Sequence, residues 1–291
     1  MEISRGHGTF GLPEGIKFYN GHPLAASAEQ LEKLLFSLVA ALRTECLAAV
    51  DRRVDTDGAV KAFVAAYGGF FSNLTGIRSE YSAYPCGPCN MVRFNFCYRI
   101  SKAKLASMER EVQAVVGSLS SKLFCSGMSA EAKAYSAHNY LARNVRYRLA
   151  EDGTPLELSY EQSAYGALVL GGCVCRGYAE AYKRLLNSQG IGCEVVYGKV
   201  AGYKDMHAWN IVSLCGGYTH VDVTWDSGEN GERGDDFFGL SDADLLGKRT
   251  WQNPHGIACK VGKQALRAAR RDVALRRGDF MRAGVRPDCL M

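Results

Sequence analysis

The spacing of hydrophobic residues predicts helices in the first half of the chain. Leucines recur at helical spacing after Ser27, which forms a capping-box signature with Gln30. The same spacing follows Ser101 and Ser129, which can each cap a further helix. Residues 93–100 instead alternate between apolar and polar side chains, which is typical of a half-buried strand. These elements predict a mostly helical N-terminal extension that serves as scaffold.

The second half of the chain changes from a helical pattern to a strand pattern. A helix is predicted to begin at Cys175, after the Gly171-Gly172 turn, and to stop at Gly190, a residue typical of the position beyond a helix C-terminus. Three strands are then predicted, over residues 193–197, 208–214 and 218–225. The last two strands flank Cys215-Gly216-Gly217 and predict an antiparallel hairpin.

Three residues in these elements have the side chains that a thiol acyl-transfer site needs. Cys175 begins the predicted helix, His207 follows 32 residues later, and Asp222 comes 15 residues after that. A thiol in the first turn of a helix lies at the positive end of the helix dipole, which favours the thiolate. In such a site an imidazole takes the thiol proton and a carboxylate orients the imidazole.

The position of the hairpin turn decides whether His207 and Asp222 meet. If the turn centres on Cys215-Gly216, Asp222 lies opposite Trp209, and His207 is its diagonal neighbour on the same face. If the turn centres on Gly216-Gly217, the register shifts by two residues and the side chains are farther apart. Each residue taken alone also has a structural interpretation, since a lone cysteine is usually a small buried residue and a strand histidine or aspartate usually a satisfied structural group.

The segments around these residues resemble the transglutaminase-like superfamily. Its bacterial members carry Val-Cys-x-Gly-Tyr-Ala, His-Ala-Trp-Asn and His-Val-Asp-Val-Thr-Trp-Asp segments in this order, and the chain has them at residues 174–179, 207–210 and 220–226. The resemblance is strong from about Tyr135 to Trp225 and looser on either side. It implies an α+β, papain-like core, in which the helix of the nucleophile packs against an antiparallel sheet that carries the histidine and the aspartate.

The resemblance implies a thiol-dependent acyl-transfer enzyme with a Cys175-His207-Asp222 triad. Such sites perform proteolysis, deamidation, amide formation and protein cross-linking, so the family alone does not name the reaction. Hydrolysis needs only water, whereas amine transfer needs a second binding site. We therefore expect a peptidase or amidase that acts on a peptide or protein substrate. The alternatives are a transglutaminase or amide-forming acyltransferase, and a catalytically silent binding or scaffold domain.

Four neighbouring residues are given roles beside this triad. Tyr165 resembles a family position near the active site, and it could line the substrate cleft, donate a hydrogen bond to the oxyanion, or be a buried core tyrosine. Trp209 is a second candidate for contact with the substrate or the oxyanion. Cys173 is assigned a packing role, with a redox partner as the alternative, and Asp226 is expected to form hydrogen bonds at a strand end.

The remaining cysteines do not indicate a metal or a disulfide framework. We interpret Cys86-Gly87-Pro88-Cys89 as a turn, because a strand follows it at once, with disulfide exchange, a local disulfide and half of a metal site as alternatives. A zinc site would need two more ligands, and the sequence has neither a second CxxC nor a paired histidine motif. No calcium loop is apparent, so no metal or cofactor is expected. Eleven cysteines, an odd number, suit a reducing compartment.

Length and charge divide the chain into three predicted parts. With 291 residues and 47% hydrophobic content it can bury a sizeable core. We expect an N-terminal α/β extension at residues 1–120, a transglutaminase-like catalytic core at 121–258 and a basic C-terminal tail or helix at 259–291. Residues 260–286 carry nine lysines and arginines against two aspartates and predict a solvated basic helix. Its partial apolar face would consist of Ala265, Leu266, Ala269, Val273 and Leu275.

Charge and hydropathy also limit the expected partners. The basic helix could bind a protein partner or an anionic surface, but nucleic acid is disfavoured because no aromatic residues are interleaved with its charges. No run of eighteen apolar residues is present, so no transmembrane segment is expected. Residues Met1 to Asn20 lack the apolar region of a secretory signal, which favours the cytoplasm. A signal that had already been removed would leave the same sequence.

Overall fold

The computed structural model describes residues 16–67, 74–82, 87–148, 160–228, 234–252 and 256–290. It combines helices with mainly antiparallel sheets, so the predicted α+β class is confirmed. The chain divides into two compact units, Met1–Ser101 with Pro254–Gly256 and Lys102–Asn253 with Ile257–Met291. Within the described ranges, no helix is both long enough and apolar enough to cross a membrane.

Among its described residues, the first unit contains a five-stranded sheet and two helices. Its elements are β1 (Lys17–Tyr19), β2 (His22–Ala25), α1 (Ala28–Ala40), β3 (Glu45–Asp51), α2 (Thr56–Tyr67), β4 (Leu74–Tyr81) and β5 (Cys89–Tyr98). The strand order is β1-β2-β3-β5-β4, with β2 and β3 parallel and the other neighbours antiparallel. The prediction of a mostly helical extension was therefore wrong for this unit.

The missed strand β3 shows why the prediction failed. Strand β3 lies between β2 and β5, and its residues Ala48, Ala49 and Val50 are all fully buried. A run of small apolar residues in the middle of a sheet has no period of two, so it lacks the usual strand signal. The predicted cap of α1 is confirmed, because the Ser27 side chain accepts a hydrogen bond from the backbone N–H of Gln30 at 3.2 Å.

The second unit holds the three residues of the predicted triad. Its elements begin with α3 (Lys102–Leu123), α4 (Ala130–Asn144), β6 (Arg146–Tyr147), α5 (Ala164–Leu168), β7 (Gly172–Cys173), α6 (Cys175–Asn187), β8 (Cys193–Val200) and β9 (Met206–Leu214). They continue with β10 (Gly217–Val221), α7 (Val223–Asp226), β11 (Phe238–Leu240), α8 (Asp242–Leu245), β12 (Arg249–Trp251) and α9 (Gln264–Arg282). The sequence-based boundary at residue 120 falls inside α3.

An antiparallel sheet in the order β11-β10-β9-β8-β12 forms the base of this unit. Helix α6 packs on β8 and β9, and its Tyr178 and Tyr182 are fully buried. The Tyr178 hydroxyl donates to the carbonyl oxygen of Val145 at 2.7 Å, and the Tyr182 hydroxyl donates to that of Ala134 at 3.0 Å. Both aromatic side chains therefore bury apolar surface without leaving their hydroxyl groups unpaired.

The hairpin between β9 and β10 takes the first of the two predicted registers. Its loop is Cys215-Gly216, and both residues have positive φ, 53° and 72°, as a type I′ turn requires. Leu214 pairs with Gly217, and Asn210 pairs with Val221. One further step along this ladder places Asp222 opposite Trp209, as the first register predicts.

The predicted strand over residues 218–225 was wrong beyond Val221, where β10 ends. Val223–Asp226 forms the short helix α7, and Asp222 caps it by accepting a hydrogen bond from the backbone N–H of Trp225 at 3.3 Å. Aspartate favours such a cap because its short carboxylate satisfies an N–H group that the helix leaves unpaired. The alternation of apolar and polar residues here therefore does not continue the strand.

Helix α9 packs against other elements of the second unit, although its charge predicts a fully solvated helix. It contacts α4 and β11, and its buried residues are Ala265, Leu266, Ala269, Val273 and Phe280. Leu275, predicted on the apolar face, is 74% exposed. It lies nine residues after Leu266, which at about 100° per residue is the opposite side of the helix. Arg270 of this helix also binds Asp235, with a nitrogen–oxygen distance of 2.7 Å.

Candidate functional site

Cys175 is the first residue of α6 and follows the N-cap residue Val174. The valine side chain cannot cap the helix, so it does not compete for the N–H groups of the first turn. A thiolate at this position interacts favourably with the helix dipole. The residue is buried, with 7% exposure.

His207 on β9 and Asp222 after β10 form a close pair. His207 Nε2 lies 2.7 Å from Asp222 Oδ2, and the carboxylate is almost fully buried. Cys175 also interacts with His207 and helps to raise the pKa of its imidazole. Because Nε2 faces the aspartate, Nδ1 is the nitrogen available to the sulfur. The structure thus brings the three candidate residues together.

The electrostatics of this pair favour a charged imidazole. Burial alone would lower the pKa of His207, but the charge and hydrogen bond of Asp222 outweigh it, and with Cys175 they raise the pKa to about 9. Burial would raise the pKa of Asp222, but His207 and Arg249 lower it to about 2. At neutral pH an imidazolium and a carboxylate therefore lie side by side, and the imidazolium can stabilise a thiolate.

Arg249 on β12 is a partner of Asp222 that sequence reasoning missed. Its Nη1 donates to Asp222 Oδ2 at 2.6 Å, the same oxygen that faces His207. The guanidinium also lies over the ring of Trp225, 4.6 Å from the centroid. Arg249 comes 27 residues after Asp222 and reaches it only because β12 pairs with the edge of the sheet at β8. No local motif in the sequence indicates that pairing.

Trp209 supports the imidazole from within the core. Its ring stacks on His207, with centroids 5.8 Å apart and planes at 21°, and the residue is 1% exposed. Its indole Nε1–H donates to His220 Nδ1 at 3.0 Å. Both its burial and its engaged N–H group argue against the predicted contact with substrate or oxyanion.

Tyr165 on α5 faces α3. Its hydroxyl donates to Glu111 Oε2 at 3.2 Å, and Lys104 Nζ lies 5.9 Å from its ring centroid. The hydroxyl proton is thus directed to a carboxylate on α3. These contacts give no support to Tyr165 as the oxyanion donor.

The two remaining motif residues near Cys175 have structural positions. Cys173 in β7 is fully buried, and burial together with neighbouring Cys175 raises the pKa of its thiol well above the ordinary value, which fits the predicted packing role. The carboxylate of Asp226 accepts a hydrogen bond from the backbone N–H of Phe237 at 3.1 Å and lies 2.9 Å from His138 Nε2. Asp226 therefore joins the end of α7 to Phe237 and to His138 on α4.

Asn210, the last residue of the His-Ala-Trp-Asn segment, joins the strand of the histidine to the helix of the cysteine. Its Nδ2 donates to the carbonyl oxygen of Ala179 in α6 at 2.9 Å, and the residue is 1% exposed. A buried hydrogen bond of this kind is costly to break, because the carbonyl would lose a partner. It fixes α6 against β9 and with it the relative positions of Cys175 and His207.

Gly177, in the Cys-x-Gly segment, lies where no side chain fits. A Cβ there would be 2.4 Å from the Cβ of Cys173 and 2.6 Å from the carbonyl oxygen of Glu161. We expect Gly177→Ala to push α6 away from Glu161 and to lower the free energy of unfolding by roughly 1–3 kcal/mol. Denaturant unfolding at equilibrium measures this loss.

A matched control for this substitution lies in α3. A Cβ at Gly117 would meet no atom within 4 Å, and we expect Gly117→Ala to be neutral or to stabilise the protein by up to about 1 kcal/mol. Equal effects of the two substitutions would contradict the close approach at Gly177.

Within the described ranges, one group offers three potential metal ligands, His220, Asp242 and Cys259, whose ligand atoms lie within 4.8 Å of one another. The indole N–H of Trp209 can only donate, so it requires an unprotonated Nδ1 on His220. Nε2 then carries the proton and donates it to Asp242 Oδ1 at 2.9 Å. Burial lowers the pKa of His220, which keeps this ring neutral. The group is better explained as a hydrogen-bonded support for Trp209 than as a metal site.

The Cys86-Cys89 motif is described only in part. Cys86 lies outside the described residues, and Cys89 is the first, buried residue of β5. Gly87 and Pro88 form a turn directly before this strand, which agrees with the interpretation of the motif as a turn.

Comparisons with known proteins agree with the motifs. Residues 118–223 match the family model described as the transglutaminase-like superfamily, and this segment includes Cys175, His207 and Asp222. Comparison with curated proteins gives no match.

Several solved structures are distantly similar to the chain. Legionella pneumophila LapG is 11% identical, with 59% of this chain and 96% of that chain covered and a TM-score of 0.35. A proposed cysteine protease from Cytophaga hutchinsonii is 15% identical, with 61% and 73% covered and a TM-score of 0.33. A protein described as a TGase is 12% identical, with 62% of this chain covered, only 51% of that chain, and a TM-score of 0.34.

Similarity at these identities and TM-scores says nothing about the activity of the chain. The family match rests instead on the segment that holds the first two motifs and residues 220–223 of the third. Residues 118–223 therefore match the transglutaminase-like superfamily, as the motifs predict.

Proposed function

We propose that the chain is a thiol-dependent acyl-transfer enzyme that acts on peptide or side-chain amides. Cys175 is the nucleophile, His207 the acid and base, and Asp222 the residue that orients His207. The main support is the 2.7 Å contact between His207 Nε2 and Asp222 Oδ2, in a buried site where the same imidazole also interacts with the thiol at the start of α6. This arrangement supplies a nucleophile, a proton carrier and an orienting anion.

In the first half of the reaction, the Cys175 thiolate attacks the amide carbonyl carbon and forms a C–S bond. Backbone N–H groups in the first turn of α6 stabilise the oxyanion. The C–N bond then breaks, and the His207 imidazolium gives its proton to the leaving amine. The product of this half is a thioester on Cys175 with a neutral imidazole beside it.

In the second half, His207 takes a proton from water as the water attacks the thioester carbonyl. The C–S bond breaks, the acid product leaves, and the thiolate and imidazolium are restored. Asp222 keeps the imidazole in one orientation through both halves, because its carboxylate is fixed by His207, Arg249 and the backbone N–H of Trp225.

Hydrolysis is proposed over amine transfer because water needs no second binding site. The segment before His207, residues 201–205, is exposed throughout, and Tyr203 within it is 56% exposed. An exposed segment beside the site is a poor cover for a thioester, and water would reach the carbonyl carbon. A transglutaminase-type transfer would instead require an acceptor that competes with water.

Product masses separate these reactions. The full chain is incubated with a peptide library, with and without a labelled primary amine at millimolar concentration, and Cys175→Ala serves as the matched control. We expect cleavage or deamidation that depends on Cys175 and outpaces amine adducts. Faster formation of amine adducts would favour a transglutaminase or amide synthase. If no product of either kind forms, the silent-scaffold alternative is favoured.

A further inference from the structure

The guanidinium of Arg249 contacts three groups that lie against the imidazole of His207. It donates to Asp222 Oδ2 at 2.6 Å and lies 4.9 Å and 4.6 Å from the ring centroids of Trp209 and Trp225. Those two indoles flank His207, with centroid distances of 5.8 Å and 5.9 Å. A single buried cation therefore contacts the carboxylate and both rings against which His207 rests.

Stability alone does not explain this arginine. Its side chain is 2% exposed, and its Nη2 has no hydrogen-bond partner among the described residues. An unpaired N–H group away from water costs free energy, and a buried ion pair is often no more stabilising than apolar side chains of similar volume. A buried charge with an unsatisfied donor calls for another explanation.

We infer that Arg249 is a positioning residue of the proposed thiol site, which fixes the Asp222 carboxylate on His207 and holds Trp209 and Trp225 against the imidazole. This inference rests on the proposed roles of Cys175 and His207. The planar guanidinium suits the position, because one face can stack on an indole while an edge binds a carboxylate. A lysine ammonium group would supply the positive charge but not the planar surface that stacks on an indole.

The positive charge of Arg249 acts on the carboxylate that holds His207, because it lowers the pKa of Asp222 against the effect of burial. Cys175 on α6 and His207 form a pair that faces Asp222 after β10 and Arg249 on β12. His220 on β10 lies beyond Trp209. Tyr197 on β8 interacts with Cys175, and Arg176 lies over the Tyr197 ring. Removal of a positive charge makes every nearby proton harder to lose. A residue that only filled space would leave the protonation of the pair unchanged.

The pH dependence of Cys175 alkylation by iodoacetamide tests this inference in the full chain. Alkylation requires no substrate and reports the apparent pKa values of the coupled Cys175–His207 pair. In Arg249→Met we expect both apparent pKa values to rise by about one unit. Arg249→Lys, which keeps the charge, should retain the apparent pKa values of the unmodified protein but react several-fold more slowly, because it loses the planar contacts.

Arg184→Met is the matched control, since Arg184 forms an ion pair with Glu109 at 2.9 Å on the surface of the same unit. It should leave the alkylation profile unchanged. An unchanged profile in folded Arg249→Met would overturn the inference, while rapid alkylation of Cys175 in the unmodified protein would leave the proposed function standing. Should Arg249→Met fail to fold, Arg249→Lys decides: a rate equal to that of the unmodified protein overturns the inference. If Cys175 is no more reactive than Cys46 in the unmodified protein, the proposed function itself fails.

Discussion

Replacement of Cys175 with alanine should reduce amide turnover by at least about 10³-fold, because the residues of such a site act as a unit and no other group can form the thioester. Cys173→Ala is the matched control two residues away. Cys173 is fully buried, and its thiol pKa is raised by burial, so this substitution should cost stability and leave the chemistry intact. Initial rates on a substrate from the peptide library measure both effects. Turnover near the unmodified rate by folded Cys175→Ala would exclude covalent catalysis at this residue.

Asp222→Asn should lower kcat by up to about 10⁴-fold, because an amide can no longer hold the imidazole in the required protonation state and orientation. The side-chain volume is nearly unchanged, so the loss reflects charge and hydrogen bonding rather than packing. The control is Asp235→Asn, which removes a carboxylate that pairs with Arg270 in the same unit. We expect the control to keep most of its activity.

The same substitution should also move the basic limb of the pH–rate profile. The negative charge of Asp222 raises the pKa of His207 to about 9, so activity that needs the imidazolium is lost as the pH rises through that value. Asparagine removes this attraction while Arg249 keeps its positive charge nearby. The His207 imidazolium should then lose its proton at lower pH, near the ordinary histidine pKa of about 6.5 or below it. An unchanged basic limb in Asp222→Asn would contradict the assigned role of the carboxylate.

The sequence predicts the candidate site well where local signals determine the geometry. Cys215-Gly216 can adopt the positive φ values of a two-residue turn, and this turn sets the register that brings Asp222 to His207. The apolar stripe of α6 likewise fixes which face of the helix is buried. In both cases the order of residues along the chain and the period of the hydrophobic pattern are enough to predict the geometry.

The residues that the sequence could not predict depend on contacts between distant segments. Arg249 reaches Asp222 only through the pairing of β12 with β8, and a lone arginine in a short strand carries no signal of burial. The support of Trp209 by His220 depends on side chains that meet across the β9–β10 ladder. The sequence instead suggested that Trp209 contacts the substrate or the oxyanion. Its burial follows from the packing of the whole sheet, which the local sequence does not indicate.

The C-terminal helix shows the same limit for composition. Its high charge predicts a solvated surface, but Lys263 donates to the carbonyl oxygens of Asp235 and Phe238, directly beside the segment that holds Asp222 and Asp226. A basic side chain at a helix start can thus serve as a clamp for a neighbouring loop. Net charge alone does not distinguish such a clamp from a binding surface for an anionic partner, which stays a prediction.

Residue-resolved alkylation of the native chain tests the thiolate–imidazolium pair most directly, because it needs no knowledge of the substrate. Brief treatment with iodoacetamide near neutral pH is followed by mass spectrometry of every cysteine. Cys175 should be labelled first, ahead of partly exposed Cys46, whose thiol pKa is raised to about 11 chiefly by burial, and this advantage should vanish in His207→Ala. Labelling of Cys175 that is no faster than that of Cys46, or that is unaffected by His207→Ala, would contradict the assignment of Cys175 as the nucleophile.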